Sequence, residues 1–261
     1  MLDAAGLEQQ LAQLSAATNS PWNVNFFCHD SPAPNPEGEQ RWVETLHPYY
    51  DEFGTDPSTI PEGPSRKPFD ADCAAVLALF RPAVVSFHYG LPEASLLDRV
   101  KATGATVLSS ATTVEEALWL QAQGADAVIA QGLEAGGHRG HFLSDDLSRQ
   151  QGTFSLLPQV ADAVSIPVIA AGGIASPAGV RAAMALGATA VQVGTAYLLC
   201  PEATTKPVHR EWLNSDRARH TALTTAFSGR PARGIVNRLM RELGCFPDTA
   251  PAFPLAGNAI G

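Results

Sequence analysis

Three times in this chain a helical stretch ends in Gly-Ala and runs straight into a short β-prone segment: Gly104-Ala105-Thr106-Val107-Leu108, Gly124-Ala125-Asp126-Ala127-Val128 and Gly187-Ala188-Thr189-Ala190-Val191. Glycine at such a place supplies the left-handed residue that ends a helix, and an apolar run without alternation suits a strand buried on both faces. The phrase is the helix-to-strand junction of a parallel sheet. Reading outward from it predicts six strands, near Trp22–Cys28, Ala83–Phe87, Thr106–Ser109, Ala127–Gln131, Pro167–Ala171 and Ala190–Gly194. Helices are expected near Ala71–Phe80, Glu93–Thr103, Thr113–Gln123, Leu156–Val164 and Pro177–Leu186, with an amphipathic helix, Ala4–Ala17, ahead of the first strand. Thr112-Thr113-Val114-Glu115 and Ser176-Pro177 carry helix-start chemistry.

Regular β-then-α alternation permits a barrel or an open doubly wound sheet. Here the polar residues gather at the ends of many strands: Ser86 and His88, Ser109 and Ser110, Gln131 and Gly132, Gly172 and Gly173, Gly194 and Thr195. A doubly wound sheet concentrates its site at one switch point, so this spread favours a barrel. Two segments break the rhythm. His29–Lys67 is proline-rich without a clear strand and reads as a long insertion over one mouth of the sheet. The tail after Pro201 reads as helical, then Pro- and Arg-rich, which divides the chain into a barrel portion, 1–202, and a C-terminal segment, 203–261. Six of the chain's 17 basic residues (Arg217, Arg219, Arg230, Arg233, Arg238, Arg241) fall within 25 positions of that tail, as a solvated face or as a local positive field for an anion.

A net charge of −9 repels polyphosphates, which argues against nucleic acid as a partner. The four cysteines form no C-x-x-C pair, so no zinc knuckle or disulfide framework is expected, no metal site is read, and a reducing cytoplasm fits. Asp3 and Glu8 make the N-terminus unlike a signal peptide. Ala182–Pro201 carries no charge over 20 residues, but Gly187, Gln192 and Gly194 break it into a helix end and a buried strand, so no membrane span is expected. H-E-x-x-H, P-loop, G-x-S-x-G and G-x-G-x-x-G motifs are all absent from the sequence.

The stretch richest in chemistry is Gln131-Gly132-Leu133-Glu134-Ala135-Gly136-Gly137-His138-Arg139-Gly140-His141. Its glycines let backbone N–H groups approach a flat or anionic ligand, and Gln131 can donate and accept along a heterocycle edge. His138 suits proton transfer or, charged, the holding of an anion; a loop histidine without a role is the competing reading. Two glycine sites follow at later strand ends, Ala170-Ala171-Gly172-Gly173-Ile174 and Gln192-Val193-Gly194-Thr195-Ala196. In barrels the last two such loops commonly hold a phosphate, which points to a phosphorylated cofactor; tight helix-to-strand punctuation is the plainer alternative. Val84-Val85-Ser86-Phe87-His88-Tyr89-Gly90 puts a second histidine at a strand end.

The string A-Q-G-x-E-A-G-G-H-R-G, followed by P-V-I-A-A-G-G-I and V-Q-V-G-T-A-Y, resembles the FMN-dependent nitronate monooxygenases, formerly called 2-nitropropane dioxygenases. Supporting phrases include Val24-Asn25-Phe26-Phe27, Val85-Ser86-Phe87-His88, the run Val107–Thr113 and Ser228-Gly229-Arg230-Pro231-Ala232-Arg233-Gly234-Ile235. The insertion and the S-F-H-Y-G form resemble the branch acting on propionate 3-nitronate. The resemblance implies a TIM-type (β/α)8 barrel with FMN at its C-terminal mouth. Asn25, Gln131 and Gly136 would bind the isoalloxazine and ribityl part, and Gly172, Gly173, Gln192, Val193, Gly194 and Thr195 the phosphate end. His138 would sit beside the flavin and His88 close to the substrate. The implied reaction is oxidation of an alkyl nitronate through an anionic flavin semiquinone, with O2, to a carbonyl compound and nitrite, and detoxification is the role it suggests. The implied partners are small molecules, the anionic nitronate and O2, with a homodimer left open.

The Q-A-P-M-A-G-like first strand of that family and its W-A-G-Q-like end have no counterpart, so the resemblance also implies a barrel lacking its first two βα units in this chain, with weaker FMN binding. Three readings compete: the nitronate oxidase, an FMN-dependent enoyl-thioester reductase using NAD(P)H, and a truncated remnant without activity. A sugar-phosphate isomerase or aldolase would want a strand-end lysine or a carboxylate pair, and neither is evident.

Overall fold

A computed structural model describes residues 2–60 and 67–260. Residues 61–66 of the proline-rich insertion lie outside the described residues. Two compact units are present. The first comprises residues 1–30, 65–135 and 140–193, and the second residues 31–64, 136–139 and 194–261.

The first unit is an α/β half-barrel. Its strands are β1 (Asn23–Phe27), β2 (Val84–His88), β3 (Thr106–Ala111), β4 (Ala127–Gln131), β6 (Val168–Ala171) and β7 (Ala190–Gln192). All pair in parallel, in chain order, as one curled sheet of six strands. The helices α1 (Ala4–Ala17), α3 (Ala71–Phe80), α4 (Ala94–Ala102), α5 (Val114–Ala122), α6 (Thr153–Ala163) and α7 (Pro177–Ala185) alternate with these strands. The Gly-Ala junctions perform as expected: Gly104, Gly124 and Gly187 have φ of +88°, +94° and +100°, each one residue past the cap of α4, α5 and α7. Helix starts are capped by Asp3, Asp70, Thr113 and Ser176, whose side chains accept backbone N–H groups of the first turn. α6 begins earlier than its apolar pattern suggests, because Glu134 Oε2 accepts both the N–H and the hydroxyl of Thr153, at 2.7 and 2.9 Å.

Period-two alternation divides the sheet into two faces. Phe26, Val85, Phe87 and Val107 on one face pack with Leu7, Leu11, Leu77 and Leu97 of the helices. Val128, Ala130, Val168 and Ala170 pack with Leu120, Leu156, Leu157 and Val160. The other face carries Asn25, Ser86, His88, Ser110, Gln131 and Gln192 at or near the strand ends.

The second unit corrects two expectations. Its insertion contains an 18-residue helix, α2 (Pro36–Phe53), despite its prolines. Pro36 occupies the first turn, where no N–H is needed, Asn35 caps Gly38, and Trp42, Leu46 and Tyr50 recur at helical spacing and are buried. Trp42 Nε1–H donates to the Ala256 carbonyl at 3.0 Å, and the Tyr50 hydroxyl to that of Ala259. The tail, expected to be helical, holds α8 (Pro207–Leu213) and α9 (Arg238–Glu242) but also two strands, β8 (Thr221–Thr224) and β9 (Ala232–Ile235). These form an antiparallel sheet with β5 (Gly137–His138). The two tail strands span only four residues each and contain Arg233 and Gly234, so no apolar run announces them; pairing with distant segments makes them strands. Among the described residues no helix is long and apolar enough to cross a membrane.

One buried carboxylate ties the first unit together. Glu116 is 1% exposed and accepts from Thr112 N–H (2.7 Å), the Thr112 hydroxyl (2.8 Å), Phe142 N–H (2.7 Å) and Leu143 N–H (3.2 Å). Glu116→Ala strands these donors away from water and should cost about 3 to 5 kcal/mol. Urea unfolding of the purified variant checks this, and a loss below about 1 kcal/mol contradicts the assignment.

Candidate functional site

In the first unit the ends of β1, β2 and β3 carry a continuous polar row. Asn25 and Ser86 are register partners, and the Ser86 hydroxyl donates to Asn25 Oδ1 at 2.9 Å while accepting from Asn23 Nδ2 at 2.8 Å. Phe27 is paired with His88, their rings 5.6 Å apart. His88 Nδ1 lies 3.0 Å from Ser110 Oγ, and Tyr89, with φ +70°, sets its ring 4.6 Å from the histidine. A bulky residue in the left-handed region is strained unless its surroundings fix it, and Tyr89 is 4% exposed against Phe27 and His88.

Gly140 links this row to Gln131. Its N–H donates to Gln131 Oε1 at 2.8 Å, which fixes the orientation of the amide oxygen. A Cβ at residue 140 would lie 2.6 Å from His88 Cε1 and 3.0 Å from its Nδ1, so only glycine lets the chain pass there. Gln131, Ala171 and Gln192 stand in one register row across β4, β6 and β7. β7 ends at Gln192, two residues sooner than expected, so Val193 and Gly194 are loop. Directly after β6, Gly172 and Gly173 have φ of +118° and +68°. A side chain at Gly172 would meet Thr153 Oγ1 at 2.8 Å and the Ala135 nitrogen at 2.9 Å.

In the second unit His138 stands on β5, its Nε2 2.8 Å from the Ser228 hydroxyl and its ring 5.4 Å from Phe253. β5 is held by β9 at Gly137–Arg233 and His138–Ala232, and Arg139 N–H donates to the Pro231 carbonyl at 2.8 Å. Gly136 comes against Thr195: a Cβ on the glycine would be 2.9 Å from Thr195 Oγ1. Among the described residues the N–H groups of Gly173, in the first unit, and of Gly194 and Thr195, in the second, donate to no protein acceptor. Within each unit, then, sequence-selected residues gather: Asn25, His88, Gln131, Gly172, Gly173, Gln192 and Val193 in the first, Gly136, His138, Gly194 and Thr195 in the second.

Sequence reasoning did not pair Ser228 with His138 or find the double role of Gly140, although both lie in phrases that stood out. Charge falls partly as a solvated face. Arg238 bonds Glu52 at 2.6 Å and Glu242 at 2.7 Å, and its guanidinium holds both carboxyls below their usual range. Arg219 pairs with Asp216 at 3.2 Å. Burial pushes the Cys28 thiol up and the Cys73 thiol up to about 11, with Asp70 adding to the latter, so neither supplies a thiolate nucleophile near β1 at neutral pH. No group of acidic, histidine and cysteine side chains that could hold a metal occurs among the described residues.

Residues 2–259 match the nitronate monooxygenase family. The chain belongs to that family. It is 42% identical over 252 residues to a nitronate monooxygenase of Pseudomonas aeruginosa, covering 94% of this chain and 68% of that one. It is 41% identical over 264 residues to one of Paraburkholderia phytofirmans, covering 99% and 71%. Among solved structures, the nitroalkane oxidase from Streptomyces ansochromogenes superposes with a TM-score of 0.85 at 39% identity, over 98% of this chain and 72% of that one. FabK from Thermotoga maritima gives 0.66 at 29% identity, over 93% and 63%. As a family member the protein is an oxidoreductase, and the chemistry of the family is flavin-dependent nitronate oxidation.

Gly172→Ala combines a left-handed φ with backbone contact at 2.9 Å. It should destabilise the protein by about 1 to 3 kcal/mol. A urea midpoint unchanged from the parent would show that the loop relaxes freely.

Proposed function

We propose that this chain binds FMN at the C-terminal ends of its strands and oxidises alkyl nitronates, such as propionate 3-nitronate, with O2 to a carbonyl compound and nitrite. The observation that carries this reading is the polar row on one face of the half-barrel, Asn25, His88, Gln131 and Gln192, followed by glycine loops with unspent N–H groups. Those residues fit the cofactor. Gln131, its amide oxygen held by the Gly140 N–H, would lie along the flavin edge. Gly172 and Gly173 keep a loop that a Cβ would obstruct; the Gly173 N–H in the first unit suits an anionic oxygen, as do those of Gly194 and Thr195 in the second. Asn25 and Gly136 would complete the ring and ribityl contacts, with Gly172, Gln192 and Val193 at the phosphate end.

FMN, when bound, supplies the electron acceptor for the nitronate. The protein's own work is placement and field. A nitronate is already deprotonated, so no side chain has to remove a proton from carbon. His138, fixed through Ser228, would stand beside the flavin, and His88 would face the substrate anion; each contributes hydrogen-bond donors or positive charge toward oxygen. The cytoplasm is the compartment proposed, with nitronate detoxification as the role.

Visible spectroscopy tests the reading. FMN titrated into the purified chain should give a resolved bound-flavin spectrum, and anaerobic propionate 3-nitronate should then reduce it. Rapid reduction by NADH or NADPH with no response to nitronate would replace this reading with the reductase. His138→Asn should keep flavin bound while slowing nitronate turnover on the order of 100-fold; unchanged turnover removes the proposed role of His138.

A further inference from the structure

We propose that Thr153 is a positioning residue whose hydroxyl holds the Gly172 carbonyl and thereby aims the Gly173 N–H at the phosphate end of the cofactor. The cofactor half of this proposal rests on the function proposed above, and the turn half does not. A trans peptide is planar, with its C=O and N–H pointing in opposite directions. The carbonyl of Gly172 and the N–H of Gly173 belong to one such unit, so a bond to the oxygen fixes the direction of the hydrogen. Thr153 Oγ1 donates to that oxygen at 3.0 Å. The turn needs such a hold. Both of its glycines sit at positive φ, +118° and +68°, and glycine leaves the peptide plane between them free to rotate.

Thr153 is itself fixed from three sides. It is the first residue of α6, whose cap position is Gly152 and has no side chain to offer. Glu134 Oε2 supplies the acceptor instead, taking the Thr153 N–H at 2.7 Å and standing 2.9 Å from its hydroxyl, whose proton is shared between the carboxylate and the Gly172 carbonyl. On the second side lies Gly132, directly after β4, where a Cβ would overlap the Thr153 hydroxyl and backbone. On the third a Cβ at Gly172 would come within 2.8 Å of Thr153 Oγ1. The Gly132 N–H donates to the Ala171 carbonyl at 2.9 Å, which keeps the exit of β4 against the end of β6. The threonine is therefore wedged between two strand ends, and its hydroxyl reaches the second of them.

Thr153→Val removes the hydroxyl at nearly constant volume and keeps the N–H that Glu134 holds; Thr153→Ser restores the hydroxyl. The turn half is read by NMR relaxation of the 15N-labelled chain without flavin. The Gly173 amide should show an order parameter of about 0.85 in the parent, fall below about 0.6 in Thr153→Val and recover in Thr153→Ser. A mobile Gly173 amide in the parent, or an unchanged value in Thr153→Val, overturns that half. The cofactor half is read by titrating FMN and riboflavin, which differ by the phosphate alone. Thr153→Val should raise Kd for FMN about 3- to 10-fold, the size of one hydrogen bond, and leave Kd for riboflavin unchanged, with Thr153→Ser at the parent values. An unchanged FMN Kd, or equal weakening of both flavins, overturns the cofactor half. A parent chain that binds neither flavin fails the function proposal alone, because the order parameter is read without them.

Discussion

The carboxylate of Glu116 is the constraint from which the polar face of the half-barrel follows. Buried carboxyl oxygens need donors, and the chain supplies them from Thr112 at the exit of β3 and from Phe142 and Leu143. Fixing residues 142 and 143 fixes Gly140 two positions earlier. That glycine is where the backbone meets Gln131 by hydrogen bond and His88 by contact. One carboxylate in the first turn of a helix thus bears on the orientation of an amide and the space left for an imidazole.

The same economy appears in how the two candidate histidines are held. Each has one ring nitrogen against a serine hydroxyl, Ser110 for His88 and Ser228 for His138. A carboxylate in that position would favour the imidazolium, whereas a hydroxyl, which can donate or accept, imposes no charge. Cys28, the one thiol next to this row at the end of β1, is kept neutral by burial and adds no competing nucleophile.

Much of the first unit was legible because its signals are local. The glycine after each helix, the apolar run after the glycine and the cap before the next helix all lie within a few residues, and the structure places six strands where they point. The second unit was harder to read. Trp42, Leu46 and Tyr50 do repeat at helical spacing, but proline on both sides of them masked the helix; Pro48 is tolerated inside it while the buried stripe secures the rest. β8 and β9 carry no apolar period, and the pairing of β9 with Gly137 and His138 reaches across most of 100 residues of chain, from Gly137 to Arg233.

The candidate site divides along the same line. Residue types at strand ends could be picked out singly, since a glutamine or histidine directly after a buried run is conspicuous. Their partners could not: Asn25 and Ser86 are 61 residues apart, His88 and Ser110 are 22 apart, and His138 and Ser228 are 90 apart. Such pairs are properties of the sheet register, which only folding settles. A sequence shows which groups are able to do chemistry, whereas the proton inventory of each group depends on what the register sets against it. Ser110 illustrates the difference. In the sequence it is one of two adjacent serines, and in the fold the alternation of β3 sends Ser109 to a backbone carbonyl and Ser110 to an imidazole.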